Sequence, residues 1–215
     1  ALHAEGGYAA KLTPLGRHLA QLPLEVRQAK LLVLSCLFGC VEPMLHVVSL
    51  LSCRSIVASS SQRDETKAKA RSAFLYGQSD LLSYANLFAT WLAMRHERRP
   101  MKEVRTFCDA HGLSMQALQD VDMTRITLLR QLEELGLIGS DYVISYRSQG
   151  PAWPSKISTL PLDTNSGNIN LLRALLLASL WPSIARVDQP TAKYNASTSG
   201  AVLKEAQAKE LHYYD

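Results

Sequence analysis

Apolar positions recur along this chain with the period of a helix far more often than with that of a strand. Leu15, Leu19 and Leu22 fall at i, i+4 and i+7 behind Thr13-Pro14, a capping residue followed by one with no N–H to leave unpaired. Leu22-Pro23 closes that short helix, because the residue before a proline is pushed out of the α region. The pattern restarts at Glu25, with Val26, Ala29, Leu32, Val33, Cys36 and Leu37 at helical spacing up to Gly39, which suits the left-handed turn beyond a helix end. Glu42-Pro43 opens a third helix that is apolar nearly all round through Leu51, which predicts a central place in a helical core.

Residues 52–61 are small and polar and break the pattern, apart from a short β-like Ile56-Val57. Gln62 to Tyr76 reads as a helix with charges on most turns, among them Lys67, Lys69 and Arg71. Ser79-Asp80 caps a helix from Leu81 to Arg95 whose aromatic stripe reads as core, and a basic turn follows at 95–100. Met101 to His111 forms a shorter helix ended by Gly112. Ser114 then starts a long one that runs to about Gly136, with Asp120 and Asp122 early and Arg125 and Arg130 later, an order that suits the helix dipole. Helices joined this closely predict an α-helical bundle.

Beyond Ser140 the character changes. Tyr142 to Tyr146 reads as a strand, and 148–166 as a loop or linker rich in Pro, Ser, Thr and Asn. Asn168 to Leu180 is a last amphipathic helix, followed by strands at 183–187 and 211–214 with a polar loop between them, the opening of an all-β domain. Tyr8 to Leu12 is a further short strand after a turn at Gly6-Gly7. No internal repeat is visible.

Composition narrows the picture only a little. At 47% hydrophobic and 20% charged the 215 residues are those of an ordinary globular protein, and a formal charge of +4 permits a nucleic-acid partner without requiring one. No signal peptide or bilayer-spanning run is expected, and a start at Ala1 without Met suggests a piece of a longer chain. Cys36, Cys40, Cys53 and Cys108 lack a second pair at ligand spacing, so buried free thiols are expected and no metal site. A sequon at Asn195 carries no weight without a secretory signal. No phosphate-binding G-x-x-x-x-G-K-[ST] loop is present, nor H-E-x-x-H, G-x-S-x-G or C-x-x-C, and no local pattern pairs a cysteine with a histidine base. The chain by itself reads as non-catalytic.

The wording of several segments adds a resemblance. L-T-P-L-G-R-x-x-A-x-L-P-L at 12–24, F-G-C at 38–40, K-A-K-A-R at 67–71, Ser79-Asp80-x-Leu82 with Trp91, and Phe107-Cys108 through Leu113-Ser114 resemble the C-terminal region of DEAH-box RNA helicases, most closely the larger eukaryotic members. The run from Asn165 to Val187 is similar to that family's lead-in to an OB-fold. Departures fall at Leu81, Phe88, His111-Gly112, Gln116 and Thr127.

The resemblance implies a mainly α fold. Residues 1–24 would end a winged helix and 25–139 would form the helicase-associated, ratchet-like bundle. Residues 140–166 would be strand and linker, and 167–215 a lead-in helix and the start of an OB-fold. It implies an accessory region that helps form a single-stranded RNA channel beside RecA-like motor domains of the same polypeptide, which would bind ATP and magnesium. No cofactor is expected in this chain. The implied partners are RNA, the motor domains, and a regulatory protein or the ribosome, in the cytoplasm or nucleus and without a membrane. Arg125 and Arg130, with Thr124 and Thr127, are the expected channel residues on the long helix, which resembles the family's ratchet helix, and Lys67, Lys69 and Arg71 form a second basic face. Two other readings compete: a helical protein-interaction scaffold that touches no nucleic acid, and a winged-helix DNA reader, for which 1–22 hold too little to place a recognition helix.

Overall fold

The computed structural model describes residues 11–61, 64–156 and 158–184 in full, together with the backbone of short strands at 2–3, 186–188, 193–197, 200–204 and 212–214. The chain divides into two compact units, Ala1–Ser179 and Leu180–Asp215.

The first unit is helical. Strand β1 (Leu2–His3) pairs antiparallel with β2 (Lys11–Leu12), and α1 (Pro14–Ala20) follows, with the Gly16 N–H donating to the Thr13 hydroxyl at 3.1 Å. The expected Gly6-Gly7 turn lies outside the described residues. Helix α2 (Val26–Phe38) ends on Gly39 at φ 64°, the left-handed conformation that glycine enters without a Cβ penalty. Helix α3 (Val41–Leu51) is buried from Val41 through Ser49 and packs against α2, against α5 (Asp80–His96) and against α7 (Met115–Glu134). The central position its sequence predicted is therefore observed. Phe88 and Trp91 of α5 are wholly enclosed with Leu118 and Val121 of α7 and with Val104 of α6 (Met101–His111). Truncating either ring to alanine would cost about 3–5 kcal/mol. The β-like Ile56-Val57 forms an isolated bridge from Val57 to Leu113, closed by the Ser114 N–H on the Ile56 carbonyl at 2.8 Å.

Two expectations in this unit need correction. The charged helix expected over 62–76 is shorter: α4 spans Glu65–Arg71, starts on the Asp64 cap and tightens into a 3-10 turn at Ser72–Phe74. Tyr142 to Tyr146 is not a strand but the middle of α8 (Ser140–Gln149). Aromatic and β-branched residues favour strands only where a sheet offers them a surface. Here Tyr142, Val143 and Tyr146 are buried at i, i+1 and i+4 against helical neighbours, and tertiary burial decides. The polar run that follows is a loop, but it is tied down along its length. Trp153, Leu160 and Asp163 are buried, the Asn165 N–H donates to the Gly39 carbonyl at 2.8 Å, and its side chain donates to the Phe38 carbonyl at 2.8 Å. It thus supplies the end cap of α2. Helix α9 (Ile169–Leu180) closes the unit, and Lys30 of α2 donates to the Ala178 carbonyl at 2.6 Å.

In the second unit β3 (Arg186–Asp188) pairs antiparallel with β6 (His212–Tyr214), in register Val187 with Tyr213. These overlap the two expected strands. Between them, where a polar loop was expected, β4 (Lys193–Ser197) and β5 (Gly200–Lys204) form a hairpin. Asn195 of the sequon lies within β4.

Candidate nucleic-acid interface

Helix α7 is amphipathic, with Leu118, Val121, Leu128, Leu129 and Leu132 turned inward and Ser114 capping its start through the Ala117 N–H. Arg125 sits at the edge of that apolar face, its side chain only 13% exposed. A guanidinium so deep requires partners. Its Nη2 donates to Asp122 Oδ1 at 2.7 Å and its Nη1 to the Tyr146 hydroxyl at 3.2 Å, while the charge lies 5.5 Å from the Tyr146 ring. Burial works against the charge, and Tyr146 and Asp122 overcome it, so its pKa stands above the ordinary arginine value.

Tyr146 connects Arg125 to a buried polar network. Its hydroxyl is 3.3 Å from Nε2 of His46 on α3. Burial, reinforced by the Arg125 charge, holds His46 well below its ordinary pKa, so the imidazole is neutral. One turn from Tyr146, the Tyr142 hydroxyl donates to Asp163 at 2.6 Å, and Asp163 also accepts the Glu42 N–H at 2.7 Å and the Ser166 hydroxyl at 3.0 Å. Glu42 is 1% exposed and accepts the N–H groups of Ala152 at 2.8 Å and Trp153 at 3.1 Å. Burial and then the neighbouring Asp163 carboxylate push Glu42 up to about 8, against the pull of those two donors and of Arg125. Burial raises Asp163 as well. The pair anchors the loop after α8, and α8 in turn presents Tyr146 to Arg125.

On the solvent side of Arg125 a cleft of about 460 Å³ opens between α5, α7 and α8. Arg95 and His96 come from α5, Arg125 and Arg130 from α7, and Arg147 from α8, against one carboxylate, Asp122. Among the described residues Arg130 and Arg147 are exposed and have no hydrogen-bonding or ionic partner, while Arg95 lies 5.9 Å from the Trp91 ring.

The expected site residues therefore divide. Arg125 and Arg130 meet in the cleft. Thr124 is turned from it, its hydroxyl 3.0 Å from the Asp120 carbonyl and 3.2 Å from Cys53 Sγ, and exposed Thr127 donates back to Met123 O at 2.9 Å. The basic residues of α4 do not line the cleft. Arg71 donates to the His111 carbonyl at 2.9 Å, capping the end of α6, and Lys67 reaches Ser61 at 3.3 Å and Asp64 at 3.8 Å, while Lys69 is exposed. Arg95 and Arg147 were not expected as site residues. Neither carries a local signal of a site: a strand reading hides the helix on which Arg147 lies, and only the packing of α5, α7 and α8 brings these side chains to one cleft.

Among the described residues no group of three metal-ligating side chains comes together, and no helix is long and apolar enough to cross a membrane. Burial pushes the Cys36 and Cys40 thiols up to about 12, which keeps them protonated and poor nucleophiles.

Comparison with known proteins bears on this arrangement. Residues 25–84, from α2 into α5, match the helicase associated domain (HA2), ratchet-like. The whole chain aligns at 38% identity with 13% of a Mycosarcoma maydis protein named for DEAH-box ATP-dependent helicases. It is 29% identical, over 89% of its length, to 14% of the mouse protein named for ATP-dependent RNA helicases as DHX57. It is 27% identical, over 82% of its length, to 12% of mouse ATP-dependent RNA helicase DHX29. The chain thus spans only 12–14% of these relatives. Within that share, the chain belongs to the DEAH-box helicase family and corresponds to the C-terminal, helicase-associated part of such a protein.

Proposed function

We propose that this accessory region contacts single-stranded RNA through the arginine-lined cleft beside α7, next to RecA-like domains of the same polypeptide that bind ATP and magnesium and hydrolyse the nucleotide. The observation that carries the reading is the imbalance of charge in the cleft, four guanidinium groups against the Asp122 carboxylate. A cleft lined by one sign of charge concentrates the opposite sign, and arginine matches phosphate oxygens with paired donors. Arg130 is the cleaner probe, since it is exposed and has no hydrogen bond or ion pair among the described residues, whereas Arg125 also holds Tyr146. Arg130→Ala in the 215-residue chain is expected to weaken binding of a single-stranded oligouridylate about three- to tenfold at low salt, and to reduce the salt slope by about 0.7, one phosphate's worth. Equal affinity and slope in fluorescence anisotropy would take Arg130 out of the interface.

A second reading has its own observation. Val26 and Leu37 of α2 are 64% and 74% exposed, an apolar outer face of the kind that docks a protein. RNA binding that is absent even at low salt would favour that scaffold role.

A further inference from the structure

We infer that α5 and α8 complete a discrete phosphate-binding pocket in this cleft, with Arg95 and Arg147 as its ligands beside Arg130 and with Arg125 as its fixed back wall. The inference rests on the reading of the cleft as an anion site and deepens it by assigning ligands outside α7. Three features carry it. Arg95 and Arg147 are exposed and project from different helices into one volume of about 460 Å³, within the range of roughly 300–1,000 Å³ common for small-ligand sites. Like charges gathered from three helices repel one another unless a counter-anion joins them, and the Asp122 carboxylate is already engaged by two donors of Arg125. The wall between α5 and the end of α8 is tight, because Gly150 lies against His96: a Cβ there would be 2.5 Å from the His96 Nδ1.

A basic cleft of about 460 Å³ has room for a compact anionic group. The ligand chemistry is therefore a phosphate or diphosphate moiety, carried either by an RNA strand whose phosphate enters the pocket or by a free polyphosphate compound. The roles inside the pocket differ. Asp122 and Tyr146 hold the Arg125 guanidinium in one orientation, so little rotamer freedom remains to be lost on binding there. Arg95, Arg130 and Arg147 close from the rim.

The test uses the 215-residue chain with sodium pyrophosphate as probe, followed by thermal unfolding at constant ionic strength, and compares it with the double variant R95E/R147E. Both side chains are exposed, so the variant should fold, and its unfolding temperature without ligand reports whether it has. If it has not, R95Q/R147Q replaces it. Wild-type protein should be stabilised by pyrophosphate, with an apparent affinity at least tenfold weaker in the double variant. Pyrophosphate that also displaces a labelled single-stranded RNA identifies the strand's own phosphate as the ligand. Pyrophosphate that binds the wild type through Arg95 and Arg147 without displacing the RNA identifies a free polyphosphate compound as the ligand. Equal stabilisation of both proteins, or of neither, overturns the pocket. The two readings separate cleanly. RNA binding sensitive to Arg130→Ala, together with pyrophosphate stabilisation that is equal in wild type and R95E/R147E, sinks the pocket and leaves the RNA reading standing. Pyrophosphate binding lost in R95E/R147E, by a chain that ignores RNA, does the reverse.

Discussion

The Tyr146 hydroxyl lies between a cation and a neutral imidazole, within 3.2 Å of Arg125 and 3.3 Å of His46. It is the atom through which the buried network reaches the cleft. Replacing it by hydrogen leaves the ring, which lies stacked against Tyr142 at 6.0 Å, and deletes only the polar contacts. The other ring nitrogen of His46 already has no partner among the described residues, so Tyr146→Phe leaves both nitrogens of a buried imidazole unsatisfied. An unpaired buried polar group costs about 1–3 kcal/mol. Urea unfolding of Tyr146→Phe should show a loss in that range with an unchanged m-value. A stability equal to wild type would mean that His46 finds another partner.

At the scale of elements, the end of α8 is fixed by a close approach. Gly150 has φ 72° and abuts His96, so Gly150→Ala meets both a disfavoured backbone conformation and a clash. A cost of about 2–3 kcal/mol corresponds to an unfolding temperature lower by roughly 5–10 °C in a domain of this size. Adding His96→Ala should recover the steric part and leave the backbone part, which a double-mutant cycle measured by calorimetry resolves. Full additivity of the two changes would show that the clash is relieved by movement instead. The same helix marks how far sequence reasoning reaches. The caps at Thr13, Ser79 and Ser114 and the glycine stops at Gly39 and Gly112 were legible because capping is local chemistry. Helix α8 was not, since its residues favour strands and only burial against α3 and α7 overrides them. Arg125 and Arg130 were legible in the same way as members of one helix, but the cleft was not. Arg95 and Arg147 are 52 residues apart in the chain and meet only because α5 and α8 do. Lys67 and Arg71 show the converse: in a basic run of the sort that suits phosphate contact, Arg71 caps α6 and Lys67 is engaged with Ser61 and Asp64.

Across the whole molecule the buried carboxylates set a dependence of stability on pH. Glu42 titrates near 8 when folded against an ordinary 4.5, so the folded state holds the proton more tightly. Its stabilising contribution is complete below about 4.5 and is lost as pH rises through about 8. His46 has the opposite sign: its folded pKa is depressed, and its contribution is lost as pH falls below the ordinary 6.5. Between about 6.5 and 8 the imidazole no longer opposes Glu42, whose titration should make stability fall with rising pH by up to about 1.4 kcal/mol per unit. Glu42→Gln lowers stability by about 1–3 kcal/mol, because an amide offers one acceptor oxygen where the Ala152 and Trp153 N–H groups use two. It should also flatten that slope. Denaturation midpoints of both proteins across pH 6.5–8 check this, and a slope that persists in the variant would assign it to Asp163.

The clasp between the ends of the first unit also bears on the order in which the protein is made. Glu42 meets its backbone donors at Ala152 and Trp153, Phe38 meets Asn165, and Lys30 meets Ala178, separations of 110 to 148 residues. While a ribosome is still extending the chain, α2 and α3 can pair, but the start of α3 holds a carboxylate whose donors have not yet been synthesised. Contacts of such span close late, after their loop entropy has been met by other packing. The nascent bundle therefore keeps its innermost helix open at one end until translation passes the loop that seals it.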